Sequence, residues 1–263
     1  MAGANGTRAG PERRFADSAA GASVAARTFE ILLDQILTFR LKPNEMVSEK
    51  TMSEALGVSR TPVREALARL ATLRLIDIYP QRGSIVAPLR FADLEKSQFL
   101  REALEVGLVV RAVESPNRTQ LVQKLRDELA IQETLSSISD ERRFYKSDEL
   151  FHQQIAAYAG FPGIWADINA AKLHMDRFRY LSFPRLDAMS VVIDQHRRIV
   201  DAIEGADAQA AEEAMRIHLR RVFAALKIVQ ERYPEYFERS DLPSMSAAGD
   251  SEKQNAGRED TAA

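Results

Sequence analysis

The sequence predicts a mainly α chain in two parts, a small helical unit ending in a β-hairpin and, behind it, an all-α bundle of six or seven helices. Three observations carry this. Apolar residues recur at helical spacing along most of the chain, only the stretch 75–87 reads as strands, and Pro, Gly and Asn mark short breaks between the helical runs.

At 263 residues the chain has room for one large or two modest domains, each with a sizeable core. It is 45% hydrophobic and 28% charged, with a formal net charge of −2. That balance argues against a protein that coats nucleic acid and permits a site-specific reader whose positive charge is local. Cysteine is absent, which excludes disulfides, thiolate metal ligands and a cysteine nucleophile. No apolar run approaches the roughly 18 to 20 residues that span a bilayer, and MAGANGTRAGPERR lacks the apolar core of a secretory signal. A cytoplasmic protein without a membrane partner is expected.

Residues 1–22, rich in Ala, Gly and Arg, are expected to form a disordered arm. From Val24 to about Arg40, Phe29, Leu32, Leu33, Ile36 and Leu37 form one apolar stripe and predict a first helix, ended by Lys42, Pro43 and Asn44. Ser48 to Leu56 predicts a short second helix, and Gly57 suits the left-handed turn after it. In VSRTPVREALARL (58–70), Ser59 and Thr61 can cap a helix and Pro62 suits its first turn. Val63, Ala66, Leu67 and Leu70 fall in one arc, which leaves Thr61, Arg64 and Arg69 on faces open to a partner. Arg60 and Arg64 stand one turn apart at the N-terminal end, where planar forks of donors can grip guanine edges or phosphates. Leu75–Tyr79, a turn at Pro80–Gly83 and Ser84–Ala87 then form a β-hairpin. Residues 23–88 are therefore expected to make a winged helix-turn-helix domain.

This run is similar to the N-terminal domain of GntR-type transcriptional regulators, carried by VSRTPVREAL and the following RG-containing wing. The resemblance implies that Lys50, Ser59, Arg60, Thr61, Arg64, Arg82 and Gly83 contact double-stranded operator DNA, Lys50 through phosphate. The chain departs from that pattern at three turns. The glycine usual after the first helix is absent around Phe39 and Arg40, Asn44 stands where Pro-Gly is common, and Arg74 replaces a glycine before the first wing strand.

After the linker Leu89–Phe91, residues 92–237 are expected to form the bundle. Asp93 is the expected cap of a helix to about Glu114, and helices follow over Arg118–Ser136, Glu141–Ala159 behind Asp140, Trp165–Leu181 stopped by Pro184, Leu186–Glu204, and Asp207 to about Arg232. Residues 238–263 read as a disordered tail.

Within the apolar stripes of this bundle stand a few polar groups that need partners. Asp148 and His152 share the inward face of one helix with Phe144, Phe151 and Ile155; His196 lies in the row of Ile193, Val200 and Ile203, and His218 in that of Ala211, Met215 and Val222. Neutral imidazoles plus a carboxylate suit a divalent transition metal. Spacing alone leaves this open against ordinary hydrogen-bonded core histidines.

A second, looser likeness covers about Leu94 to Arg232: DELFHQQIA, DQHRRIVDAI and RIHLRRVFAAL resemble the helical FCD-type effector domain of the FadR subfamily of GntR regulators. It implies a divalent metal on Asp148, His152, His196 and His218, with zinc the first choice and nickel or manganese as alternatives. It also implies a small organic-acid effector clamped by Arg101. Arg177 and Arg179 are weaker candidates for the same clamp, and His174, beside the stripe of Ile168, Ala171, Met175 and Phe178, is expected at the effector-pocket wall or as an ordinary core residue rather than as a metal ligand.

The expected function is a ligand-responsive repressor that reads DNA as a homodimer, because one short recognition helix specifies too few bases alone. Two alternatives are a metal-dependent enzyme and a regulator whose metal is purely structural. The enzyme is disfavoured: no separate general base stands beside the ligands, and the winged domain would go unexplained.

Overall fold

The computed structural model describes residues 23–182 and 188–241. The expected arm at 1–22, residues 242–263 of the expected tail, and Pro184 and Leu186 at the predicted break lie outside them.

The first unit comprises helices α1 (Val24–Leu37), α2 (Glu49–Leu56) and α3 (Arg60–Thr72) and strands β1 (Met46–Val47), β2 (Ile76–Tyr79) and β3 (Gly83–Val86). The Ser23 hydroxyl caps α1 by accepting from the Ala26 amide at 3.2 Å. Gly57, at φ 65°, turns the chain from α2 into α3. Strands β2 and β3 pair antiparallel with Ile76 opposite Val86 and Tyr79 opposite Gly83, and β1 adds to the far side of β3 with Met46 opposite Ile85. Two residues are too short to show an alternating pattern, which is why β1 is not among the predicted elements. Leu32, Ile36, Val63, Leu67, Leu70, Ile76 and Val86 close the core of this unit.

The second unit holds α4 (Phe91–Val113), α5 (Arg118–Ser137), α6 (Glu141–Tyr158), α7 (Ile164–Ala171), α8 (Leu173–Ser182), α9 (Ala188–Glu204), α10 (Ala208–Arg220) and α11 (Leu226–Arg232). Helix α4 packs on α10, and α5 packs on α6 and α9. Among the described residues no helix is long and apolar enough to cross a membrane.

Five expectations need correction. The single helix predicted over Trp165–Leu181 breaks at Lys172, and the one over Asp207–Arg232 is interrupted by a 3-10 turn at Arg221–Ala225. Both apolar stripes continue across the breaks, so periodicity did not mark them. Asp93 lies in the first turn of α4, whose N-cap is Arg90; its carboxylate instead accepts from Arg74 Nε at 2.7 Å. The amide of Phe91 is satisfied by Asp241 Oδ2 at 2.8 Å, so residues 238–241, read from sequence as part of a disordered tail, serve as a remote cap. The Ser59 hydroxyl occupies the N-cap of α3 without a capping hydrogen bond.

The units meet along α8 and the segment around Leu89. Leu89 and Phe237 form a parallel bridge, with the Leu89 amide donating to Tyr236 O at 2.8 Å and the Glu238 amide to Leu89 O at 3.0 Å. Leu173, the first residue of α8, packs into the core of the first unit. Met175, Phe178 and Leu181 farther along α8 pack with Leu89, Leu94 and Phe237.

Candidate functional site

Burial of Val63, Ala66, Leu67 and Leu70 points the opposite side of α3 outward. Lys50, Ser59, Arg60, Thr61 and Arg64 are exposed there, and Arg82 and Gly83 are exposed at the wing. Gly83 sits at φ 100°, a conformation that favours glycine. Arg64 is gripped by Glu49 of α2, its Nε donating to Oε1 and its Nη2 to Oε2, both at 2.9 Å. The Glu49 carboxyl is held below its usual range by that hydrogen-bonded guanidinium, with Arg60 adding to the effect.

Inside the bundle, four side chains from three helices meet. Asp148 and His152 stand one turn apart on α6, His196 comes from α9 and His218 from the last turn of α10. All four are buried, and one ligand atom from each lies within 4.8 Å of the others. The Nε2 atoms of His152 and His218 are 3.1 Å apart, and His196 Nε2 is 3.5 Å from Asp148 Oδ1.

The outer edges of the three rings are each held by an acceptor. His196 Nδ1 donates to Gln132 Oε1 at 2.9 Å, His218 Nδ1 donates to Gln195 Oε1 at 3.2 Å, and His152 Nδ1 lies 2.5 Å from Glu105 Oε2. The glutamine oxygens hold the proton of His196 and His218 on Nδ1, so the Nε2 lone pairs of these two rings face inward, which is how ligating imidazoles are oriented by their outer partners. The Phe151 ring stacks on His196 at 4.0 Å and fixes its plane.

Electrostatics keep these groups in ligand form. Burial pushes the His196 imidazole down to about 3 and that of His218 well below the usual range, so both are neutral near pH 7. Burial alone would raise Asp148, yet Arg179, whose Nη2 donates to Oδ2 at 2.6 Å, leads the charges that hold it well below the carboxylate range. Glu105, similarly opposed by burial, is held at about 2 chiefly by Arg101, whose Nε donates to it at 2.5 Å.

Asp148 Oδ1 and His196 Nε2 are buried acceptors with no hydrogen-bond donor. Leaving such atoms unmatched is costly. A cation shared by the four inward atoms would satisfy both, and imidazole nitrogen with carboxylate oxygen is a donor set that suits a divalent transition metal.

Of the expected effector residues, the structure brings only Arg101 to this cluster, with Nη2 3.4 Å from His152 Nε2. His174 and Arg177 lie elsewhere: His174 Nε2 donates to Leu73 O at 2.9 Å, and Arg177 Nη2 donates to Ala87 O at 2.8 Å. Both therefore contact the winged unit. Arg179, weighed only as a lesser candidate, is the one on Asp148. Sequence reasoning missed Gln132, Gln195, Glu105 and Glu149. Gln195 and Glu149 adjoin His196 and Asp148 in the chain and Glu105 follows Arg101 by one turn, whereas Gln132 carried no local signal.

Comparisons with known proteins agree on both halves. Residues 24–86 match the model of bacterial regulatory proteins of the gntR family, and residues 98–221 match that of the FCD domain. An uncharacterized HTH-type transcriptional regulator in an unstable DNA locus of Streptomyces ambofaciens is 37% identical over 206 residues, 78% of this chain and 86% of that one. The HTH-type transcriptional repressor RspR of Escherichia coli K12 is 31% identical over 214 residues, 81% of this chain and 93% of that one. Among solved structures, E. coli McbR/YncC superposes with a TM-score of 0.64 at 22% identity, over 81% of this chain and all of that one, a likeness of fold.

Proposed function

The chain belongs to the GntR family of bacterial regulatory proteins, with a winged helix-turn-helix and an FCD domain, and from that premise we propose that it is a metal-dependent, organic-acid-responsive repressor. It is a DNA-binding transcriptional regulator and not an enzyme. In our reading it is of the FadR subfamily, acts in the cytoplasm, and binds a two-fold operator as a homodimer through Arg60, Thr61 and Arg64 of α3, with Ser59 at its cap, Lys50 on phosphate, and Arg82 and Gly83 in the wing.

Asp148, His152, His196 and His218 are the ligands of a divalent metal, zinc in the first instance, with nickel or manganese also compatible with nitrogen and oxygen donors. The observation that carries this is the buried pair of donorless acceptors, Asp148 Oδ1 and His196 Nε2. Bound there, the metal would supply an electrophilic point for a carboxylate. Arg101, buried beside His152, would take the rest of that anion. Around the cluster the four carboxylates of Glu105, Asp148, Glu149 and Asp176 face the three cations Arg101, Arg179 and Lys172, one negative charge in excess, so a divalent ion leaves a net charge that suits a monoanion.

Helix α8 supports communication with the reader. It touches the ligand Asp148 through Arg179, the C-cap carbonyl of α3 through His174, and the base of the wing through Arg177. A change at the metal centre that moves α8 moves the DNA-reading surface.

One observation favours a structural metal with the effector elsewhere: Arg101 and Arg179 already spend donors on Glu105 and Asp148. Calorimetric titration of small organic acids into zinc-loaded wild type and His196→Ala separates the readings. Binding to wild type alone supports the effector site, and equal binding to both removes the metal from it.

A further inference from the structure

Left-handed backbone is disfavoured for residues with a Cβ, and glycine is the default where a helix must end in it. In the winged unit Phe39 (φ 56°), Asn44 (φ 67°), Arg74 (φ 57°) and Gln81 (φ 63°) adopt it without being glycine. Asn tolerates it best; Phe and Arg do not. Phe39 and Arg74 follow the C-caps of α1 and α3, Thr38 and Leu73, in the position where glycine costs nothing.

Three of these four side chains cross to the helical unit. The Phe39 ring stacks between Tyr180 of α8 and Tyr236, at 6.1 and 5.4 Å. Asn44 Nδ2 donates to Glu235 O at 2.8 Å. Arg74 Nε donates to Asp93 at 2.7 Å, and that carboxylate is itself buried, with its second oxygen unmatched. Gln81, exposed at the tip of the wing, serves as the internal contrast: its turn joins β2 to β3 within the reader.

We propose that Phe39, Asn44 and Arg74 are positioning residues that seat the DNA-reading unit on the helical unit, and that these turns carry side chains in place of glycine for that reason. They grip two places, the 3-10 turn Pro234–Tyr236 with the neighbouring α8, and the first turn of α4, so together they oppose rotation of the reader as well as its departure. The inference concerns contacts between the two units and stands apart from metal or effector.

The test uses the full chain and amide hydrogen exchange, with two triple variants. Phe39→Gly/Asn44→Gly/Arg74→Gly removes the side chains and relieves the turns; the corresponding triple Ala variant removes the side chains and leaves the turns strained. The expected result is that the junction amides of Leu89 and Glu238 exchange at least about tenfold faster in both, while core amides of α1 and α3 keep their protection in the Gly variant. Unchanged exchange at Leu89 and Glu238 would overturn the proposal. Loss of core protection in the Gly variant would overturn it too, because the side chains would then serve the reader's own fold.

Discussion

Glu49 and Arg64 join α2 to α3 by two hydrogen bonds of 2.9 Å on the face that bears the other candidate DNA contacts. Arg64 is 72% exposed, and solvent screens such a pair so that it adds little to stability. Its consequence is geometric: with Nε and Nη2 engaged by Glu49, the Nη1 edge of the fork is presented in a fixed plane.

Arg64→Ala is therefore expected to leave the melting temperature within about a degree or two and to weaken operator binding. A good bidentate base contact is worth ~1–3 kcal/mol, so specific affinity should fall about 5- to 150-fold in a gel shift at fixed salt, with metal content unchanged. Glu49→Gln, which keeps one acceptor, should lose only a few-fold. Normal operator binding by Arg64→Ala would place the reading surface elsewhere.

Metal removal should destabilise the wild type. A ligand present at 100 times its dissociation constant adds ~2.7 kcal/mol, so dialysis against a chelator is expected to lower the melting temperature by several degrees and zinc to restore it. His196→Ala should show neither response and should retain little metal by elemental mass spectrometry. A His196→Ala protein carrying one zinc per chain would sink the assignment of His196 as a ligand.

Acid should weaken the metal-free protein in a defined window. His196 is depressed to about 3 and His218 lies well below its usual range, whereas both titrate near 6.5 once unfolded. Below about pH 6.5 the unfolded chain binds protons that the native chain does not, so stability is fully present above that value and falls as pH drops, by up to about 1.4 kcal/mol per pH unit per histidine. Denaturant midpoints measured at pH 7.5, 6.5, 5.5 and 5.0 should decline across the last three in wild type and less steeply in His196→Gln. Equal slopes would show that His196 is not buried and neutral.

Local chemistry was legible where local rules decide it. Ser59–Pro62 starts α3, the arc of Val63, Ala66, Leu67 and Leu70 gives it a buried face, and the inward rows of α6, α9 and α10 hold Asp148, His152, His196 and His218. Breaks inside a continuous apolar stripe were not legible. Lys172 carries no helix-breaking side chain; it is buried by ion pairs to Glu149 and Asp176 that exist only in the folded bundle. His174 and Arg177, expected at the effector pocket, bond instead to Leu73 O and Ala87 O, partners in the winged unit that no local signal in the chain announces. Gln132 was illegible for a related reason, since only the packing of α5 on α9 brings it to His196.

The Arg179 contact offers the sharpest check on Asp148. Its carboxylate is fully buried, and Arg179 is the guanidinium that donates to it, at 2.6 Å. Removing one partner of a buried pair costs ~3–5 kcal/mol because the other is left uncompensated. Arg179→Met keeps most of the side-chain volume, so the loss should be electrostatic. If Asp148 is a metal ligand, the ion supplies a second source of positive charge, and the penalty of Arg179→Met should be large in the chelator-treated protein and less than half as large with zinc. An equal penalty in both states would mean that Asp148 gains nothing from the metal and that the three histidines hold it without the carboxylate.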